Sequence, residues 1–135
     1  MPGDKKLQCV VVTPEKTLFD ESVDFVALPL YDGEAGILPG RMPLIGRLGF
    51  GELRTKTGDV VKRYFVDGGF VQVRADVVTV LTNRAVPAQE LDVAAAAKEL
   101  EAAGSQTVIS DSEFAEQEKA IARARGKIRV ARHKG

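Results

Sequence analysis

The sequence predicts a mainly β plus α protein, with an N-terminal β-sandwich over residues 1–86 and an antiparallel two-helix hairpin over residues 87–135. From Leu7 to about Ala85, valine and threonine are frequent, polar and apolar residues alternate, and turn-forming residues recur at short intervals. Short strands with regular interruptions are typical of a sandwich or barrel. After Pro87, alanine-rich segments with strong helix propensity take over. The absence of strand–helix–strand alternation argues against a dinucleotide-binding or P-loop fold.

The β half is marked by dense glycine and proline. Between Asp32 and Arg54 lie six glycines and two prolines, with apolar residues between them. This density excludes a helix and predicts very short strands and tight turns that are pinned into a core. Residues 51–56 and 60–66 read as paired strands around a turn at 57–59, and further turns are expected at 67–69 and 74–76.

The helical half contains clear boundary signals. The first helix is expected from Asp92 to Ala103, because Gly104 is a typical helix stop. Ser110 and Glu113 have the spacing of a capping box, which predicts the start of a second helix. Apolar residues then recur at coiled-coil spacing, namely Phe114, Ile121, Ala124, Ile128 and Ala131.

The seam between the two helices is rich in alanine, which contributes little on burial. A two-helix hairpin of this kind is marginal by itself. We therefore expect it to lean on the β domain or on another protein, and to be able to move.

Size, charge and cysteine content restrict the functional classes. The chain of 135 residues suffices for one core and a small appendage. Lysine plus arginine and aspartate plus glutamate both number 19, so a protein dedicated to coating nucleic acid is not expected. Cys9 is the single cysteine and is expected to be a buried strand residue. No apolar stretch has the length of a signal peptide or membrane span, so a soluble, cytoplasmic protein is expected.

Catalytic, metal and cofactor motifs are not visible. His133 is the single histidine, three residues from the end, and is best read as a solvated terminal residue. Gly40 and Gly51 are not followed by the lysine and hydroxyl residue of a P-loop. No pair of carboxylates is marked out for acid/base chemistry. We expect a protein that is not an enzyme by itself and that needs no cofactor.

The second predicted helix has a graded charge. Acidic residues come early, and basic residues come late, including Arg123, Arg125, Lys127 and Arg129. Acids at the start and bases at the end suit the helix dipole, which is the structural interpretation. The six cations that follow Lys119 without an intervening acid exceed what capping requires. The functional alternative is a basic arm that docks onto an acidic surface. A third interpretation, a stand-alone sandwich whose basic helix binds nucleic acid, predicts affinity that falls steeply with salt.

Two charged residues flank the turn between Gly36 and Gly40. Glu34 precedes it and Arg41 follows it. They can be solvated loop charges, or they can belong to a contact loop that Ile37 and its apolar neighbours hold rigid.

Two blocks at matching spacing carry a family resemblance. The first block comprises Gly33, Glu34, Gly36, Ile37, Leu38, Pro39, Gly40, Pro43, Leu44, Gly51, Glu52, Leu53 and Arg54. The second comprises Val66, Asp67, Gly68, Gly69, Phe70, Val71, Val73 and residues 77–82. Together they resemble the epsilon subunit of rotary F-type ATP synthases, and the same order of elements continues to Val130.

The resemblance implies a ten-stranded sandwich at the foot of the central stalk, bound to the gamma subunit and to the polar loops of the c-ring. Glu34 and Arg41 occupy the positions that approach those loops in the family. Many relatives have histidine at the second position, and arginine keeps a donor but fixes its charge. The implied function is to pass torque between the c-ring and gamma, as a peripheral subunit on the cytoplasmic face of the bacterial inner membrane.

The same resemblance makes the hairpin a regulatory element that lies folded on the sandwich or extends toward the catalytic alpha and beta subunits. Arg123, Arg125, Lys127 and Arg129 are then the candidates that meet acidic loops and oppose ATP hydrolysis. Some relatives bind ATP through a motif that begins with Leu91 and Asp92 here. Its arginine position is Ala95 in this chain, so we expect weak or absent ATP binding, since the phosphate partner is missing.

Overall fold

The computed structural model describes residues 6–40 and 43–132. Arg41 and His133 lie outside the described residues. The strands are β1 Leu7–Val12, β2 Thr17–Val23, β3 Phe25–Leu30, β4 Gly33–Ile37, β5 Leu44–Thr57, β6 Val60–Arg74, β7 Val77–Leu81 and β8 Ala85–Pro87. A 3-10 turn at Ala88–Glu90 leads to the helices α1 Val93–Gly104 and α2 Asp111–Arg132.

The strands form one sheet that folds over on itself. Its order is β2-β1-β7-β6-β5-β3-β4, and β8 pairs with β6. All pairs are antiparallel except β1 with β7. Although β1 and β3 lie far apart in this order, Val11 and Leu28 belong to the same buried cluster. The two halves of the sheet therefore enclose one core, which confirms the predicted sandwich.

The described strands number eight rather than the expected ten. The expected short strands and turns of residues 44–57 are one strand, and the expected turn at 67–69 lies inside β6. Pairing of β5 with β6 continues on both sides of Gly68, which has a φ of +66°. A glycine pair can bend a strand without ending it, because glycine adopts positive φ without steric cost. The turns at 57–59 and 74–76 are confirmed between β5, β6 and β7.

Gly69, the second glycine of this bend, is also a site of close approach. Its φ is +114°, and a Cβ atom there would lie 1.9 Å from the carbonyl oxygen of Leu81. A side chain at this position would force β6 away from β7.

Both helices begin where the sequence predicts. The Asp92 carboxylate accepts hydrogen bonds from the backbone N–H groups of Ala94 and Ala95, at 2.9 and 3.2 Å. Ser110 Oγ accepts one from the N–H of Glu113 at 3.2 Å. Each cap satisfies donors that have no partner within the helix. The local sequence is therefore enough to place these two boundaries.

The helices pack as an antiparallel hairpin, and α2 lies on β5 and β6. Gln117 Nε2 donates to the carbonyl oxygen of Ala103 across the hairpin at 2.9 Å. The predicted alanines of the seam are buried, but Phe114 is 52% exposed. The expected apolar stripe is therefore not buried at its first position. Among the described helices, none has the length and apolar character needed to cross a membrane.

Candidate functional site

The candidate site is the outer face of β5 and β6, on which α2 lies. Leu53 points into the sandwich core and is fully buried. Because strand side chains alternate between faces, Phe50, Glu52 and Arg54 share the opposite face. Phe65 lies opposite Glu52 on β6 and joins Val130 of α2 in a second apolar cluster.

Gly126 allows the helix to approach this face closely. A Cβ atom there would lie 2.8 Å from the backbone oxygen of Phe50 and 3.0 Å from Cε1 of Phe65. The first of these neighbours is backbone and cannot rotate away. The absence of a side chain at this position is therefore a condition for the observed packing of α2 on β5.

Arg123 connects α2 to the bend in β6. Its Nε donates to both carboxylate oxygens of Asp67, at 3.1 and 3.0 Å. The Asp67 side chain is 10% exposed, and that of Arg123 is 36% exposed. The guanidinium carbon also lies 5.3 Å from the ring centroid of Phe50, which is within cation–π range. Arg123 therefore contacts both strands under the helix.

Lys127 lies one turn further along α2. Its Nζ donates to the two carboxylate oxygens of Glu99 in α1, at 3.3 and 3.1 Å. The lysine side chain is 12% exposed, and Nζ lies 6.0 Å from the Phe65 ring centroid. This residue therefore ties the two helices together over the sheet.

Arg125 and Arg129 are different, since both are exposed. Neither makes a hydrogen bond or ion pair with a residue that the structure describes. The four basic candidates thus divide into an inward pair, Arg123 and Lys127, and an outward pair, Arg125 and Arg129.

Glu34 belongs to a chain of charges on the same face of the sheet. Its carboxylate accepts from Arg54 at 3.4 Å, and Arg54 donates to Glu52 at 3.0 Å. Arg63 Nε lies 3.6 Å from Glu52. Burial acts to lower the pKa of Arg54, but the hydrogen bond to Glu52 and the nearby Glu34 outweigh it and raise that pKa. Glu34 remains 58% exposed at the open end of this chain.

Glu34 and Arg129 line one groove between β3, β5 and the end of α2. The structure therefore places one c-ring candidate and one helix candidate close together. The sequence did not predict this proximity, because it depends on how α2 crosses the sheet.

The loop that precedes Arg41 is held at both ends. Ile37 is 6% exposed, and the N–H of Gly40 donates to the Asp76 carboxylate at 2.8 Å. Asp76 lies in the turn between β6 and β7, so two sequence-distant turns support each other. Leu38 is 45% exposed on this loop.

Leu91 and Asp92, the two residues that match the ATP motif of some relatives, both make contacts that support the fold. Asp92 caps α1 through its carboxylate, and Leu91 packs against the apolar cluster of Phe65 and Val130. Ala95 is exposed. These positions offer no cationic group to a phosphate. Among residues 6–40 and 43–132, no cluster of three or more histidine, cysteine or acidic side chains could hold a metal ion.

The half of the sheet that α2 does not cover presents an exposed apolar face, which was not predicted from the sequence. We use the term apolar face for Ile45, Phe70, Val77 and Leu81, whose exposed fractions are 80%, 58%, 38% and 50%. Phe70 and Leu81 are direct cross-strand partners. Arg47 lies at the border of the apolar face, as the cross-strand partner of Phe70. Its Cζ atom lies over the Tyr31 ring, 4.8 Å from the ring centroid. The alternation of side chains along β5 and β6 would have predicted this face if the lengths of the two strands had been predicted correctly.

The comparisons agree with the geometry. The family model of the ATP synthase delta/epsilon chain β-sandwich domain matches residues 6–88. The ATP synthase epsilon chain of Rhodopirellula baltica is 50% identical over 126 residues, which cover 93% of this chain and 98% of that one. The epsilon chain of Dehalococcoides mccartyi is 39% identical over 129 residues, covering 93% and 92%.

A solved structure supports the same assignment. It is a chain in the cryo-EM structure of the Euglena gracilis mitochondrial ATP synthase, determined as OSCP/F1/c-ring in rotational state 1. That chain is 25% identical and superposes with a TM-score of 0.84, with 95% of this chain and 82% of that one covered. The chain belongs to the family of ATP synthase epsilon chains, which are non-catalytic subunits of the F-type complex.

Proposed function

We propose that this protein is a rotor subunit that couples the c-ring to gamma and inhibits ATP hydrolysis through α2. The observation that carries the proposal is the way α2 is docked. It lies on the sheet through small residues, the contact of Val130 with Phe65, and one ion pair between Arg123 and Asp67, while Arg125 and Arg129 are exposed. An element held by few large apolar contacts can detach at low cost.

The gamma subunit is proposed to bind the apolar face. Large exposed apolar residues that lie together on a surface mark interaction sites. Aromatic anchors such as Phe70 commonly carry much of the energy of an interface. Since α2 covers the opposite half of the sheet, the apolar face stays accessible whether or not the hairpin is docked.

The c-ring loops are proposed to contact Glu34 and Arg41. Support comes from the exposure of Glu34 at the end of its charge chain and from the anchoring of Gly40 beside Arg41. A loop fixed at both ends can present polar groups to a partner with little loss of conformational entropy. Such contacts would transmit torque without slip.

The inhibitory contacts are proposed to come from Arg123, Arg125, Lys127 and Arg129 when α2 extends along gamma. The helix has 22 residues, which corresponds to a length of roughly 33 Å at 1.5 Å per residue. It would then bring four cations to acidic loops of the alpha and beta subunits.

ATP is proposed to bind weakly or not at all, and to have little influence on the hairpin. The supporting observations are the exposed Ala95 and the use of the Asp92 carboxylate as a helix cap. A ligand shifts a conformational equilibrium only through differential affinity. Tight binding in a calorimetric titration of the isolated chain with ATP would contradict this proposal.

The proposed cellular position is peripheral, on the cytoplasmic face of a bacterial inner membrane, with attachment only through the complex. The proposed division of the chain is a sandwich over residues 1–86 and a regulatory hairpin over residues 87–135. β8 ends at Pro87, and the buried Ala88 follows it. A truncated chain that ends at Ala88 therefore retains every strand.

The test is co-purification with gamma from the same source, comparing the natural chain with Phe70→Glu. We expect a stable complex for the natural chain and a complex weakened by tenfold or more for the variant, since a buried aromatic anchor can contribute about 2 kcal/mol or more. Glu15→Gln, at an exposed site in the turn between β1 and β2, is the control and should bind normally. Failure of the natural chain to bind gamma would contradict the proposal. Salt-sensitive binding to DNA would favour the nucleic-acid alternative, which the comparisons do not support.

A further inference from the structure

Asp67 is a buried carboxylate inside a strand, where a charge is unexpected. The residue is 7% exposed and occupies the bend of β6. Burial of a carboxylate is unfavourable unless it is paired. The described cation that pairs with it is Arg123, which is 56 residues away in the sequence and belongs to the hairpin. The sandwich thus contains an acidic group whose partner is supplied by α2.

We propose that Asp67 is an intramolecular anchor that competes with acidic partners for Arg123. When α2 is docked, both carboxylate oxygens accept from Arg123 Nε, and the guanidinium lies over Phe50. In this state the Nε–H group is occupied and the guanidinium is held against the sheet, so it is not free to pair with an acidic partner. The consequence for ATP hydrolysis rests on the function proposed above, whereas the anchoring contact itself does not.

The geometry makes this anchor reversible. Arg123 is partly exposed, so the pair is screened and weaker than a fully buried one. If α2 leaves the sheet, water hydrates both groups, and no unpaired charge stays buried. An acidic surface on a partner can therefore exchange places with Asp67 at modest cost. The outward pair, Arg125 and Arg129, can make the first contact while Arg123 is still bound.

Amide hydrogen exchange of the isolated full-length chain tests the anchor. We expect Asp67→Asn and Arg123→Gln each to speed exchange of the α2 amides near residues 120–130 by roughly three- to tenfold, as for loss of a partly exposed charged hydrogen bond. The double variant should add little, because both changes remove the same contact. Asp59→Asn, in the exposed turn between β5 and β6, is the matched control and should leave exchange unchanged.

Exchange of the β1 amides reports whether each variant remains folded. If β1 stays protected and α2 exchange does not change in Asp67→Asn and Arg123→Gln, the anchor is wrong. Faster α2 exchange in both variants, with an unchanged control, supports it. If Asp67→Asn unfolds the sandwich, the α2 exchange rates of Arg123→Gln and Arg125→Gln are compared instead. Equal rates in these two variants would overturn the anchor.

ATP hydrolysis by the assembled complex separates the anchor from the proposed inhibition. Competition predicts opposite effects, with slower hydrolysis for Asp67→Asn, which frees Arg123, and faster hydrolysis for Arg123→Gln. If both variants speed α2 exchange and neither changes hydrolysis, the anchoring contact stands and the competition for Arg123 is wrong. Whether α2 inhibits at all is tested separately by the chain that ends at Ala88.

Discussion

At the residue scale, Cys9 shows how burial sets chemistry in the core. The residue is fully buried in β1, and burial, followed by the nearby Glu21 and Asp20, raises the pKa of its thiol from 9.0 to about 12. The thiol therefore stays protonated in the folded protein under conditions that ionise it in the unfolded chain. This is the inert structural cysteine that the sequence predicts, and reactivity is correspondingly low.

The raised pKa has a consequence for stability at high pH. Above about pH 9 the unfolded chain loses the Cys9 proton and the folded chain keeps it, so ionisation favours unfolding. We expect Cys9 to lower the free energy of unfolding by up to about 1.4 kcal/mol for each pH unit above 9. Urea denaturation of the natural chain and of Cys9→Ala between pH 8 and 10.5 measures the effect. The difference between the two chains should depend on pH; a constant difference would contradict the prediction.

At the scale of the element, α2 is held by close packing as well as by charge. Gly126→Ala should favour the helix itself by about 1 kcal/mol. It should disfavour docking, because the added Cβ would lie 2.8 Å from the backbone oxygen of Phe50 and relief of such overpacking costs about 1–3 kcal/mol. We therefore expect faster tryptic cleavage after Arg123 and Lys127, despite the better helix former.

Gly104→Ala provides the matched control for that experiment. A Cβ atom at Gly104 meets nothing within 4 Å, so this substitution changes helix propensity without a clash against the sheet. Its cleavage rate should equal that of the natural chain. Equal or slower cleavage of Gly126→Ala would show that the helix does not depend on this close approach.

Elements differed in how well the sequence predicted them. The starts of α1 and α2 were predicted correctly because Asp92 and Ser110 act on N–H groups two or three residues away. The lengths of β5 and β6 were not, because only cross-strand pairing distinguishes a glycine bend from a turn. The family signature identified Glu34, and the structure places it in a charge chain that the sequence alone did not suggest.

At the scale of the whole molecule, the two outer faces of the sheet have different characters. One face carries α2 with the charges of Asp67 and Glu34, and the other is the apolar face around Phe70. Neither was assigned from the sequence: the position of α2 depends on contacts between residues far apart in the chain, and the apolar face depends on the lengths of β5 and β6, which were not predicted. Under the proposed function, their separation would allow the protein to hold gamma constantly while the hairpin changes position.

In the proposed function, α2 restrains ATP hydrolysis. The most direct test is the hydrolysis rate of the assembled ATP synthase, with either the full chain or a chain that ends at Ala88. Both chains keep the apolar face, so equal incorporation into the complex is the control. We expect hydrolysis to rise several-fold on truncation, because the candidate inhibitory cations Arg123, Arg125, Lys127 and Arg129 are removed while the sandwich remains. Equal rates with equal incorporation would contradict an inhibitory hairpin and leave a purely coupling subunit.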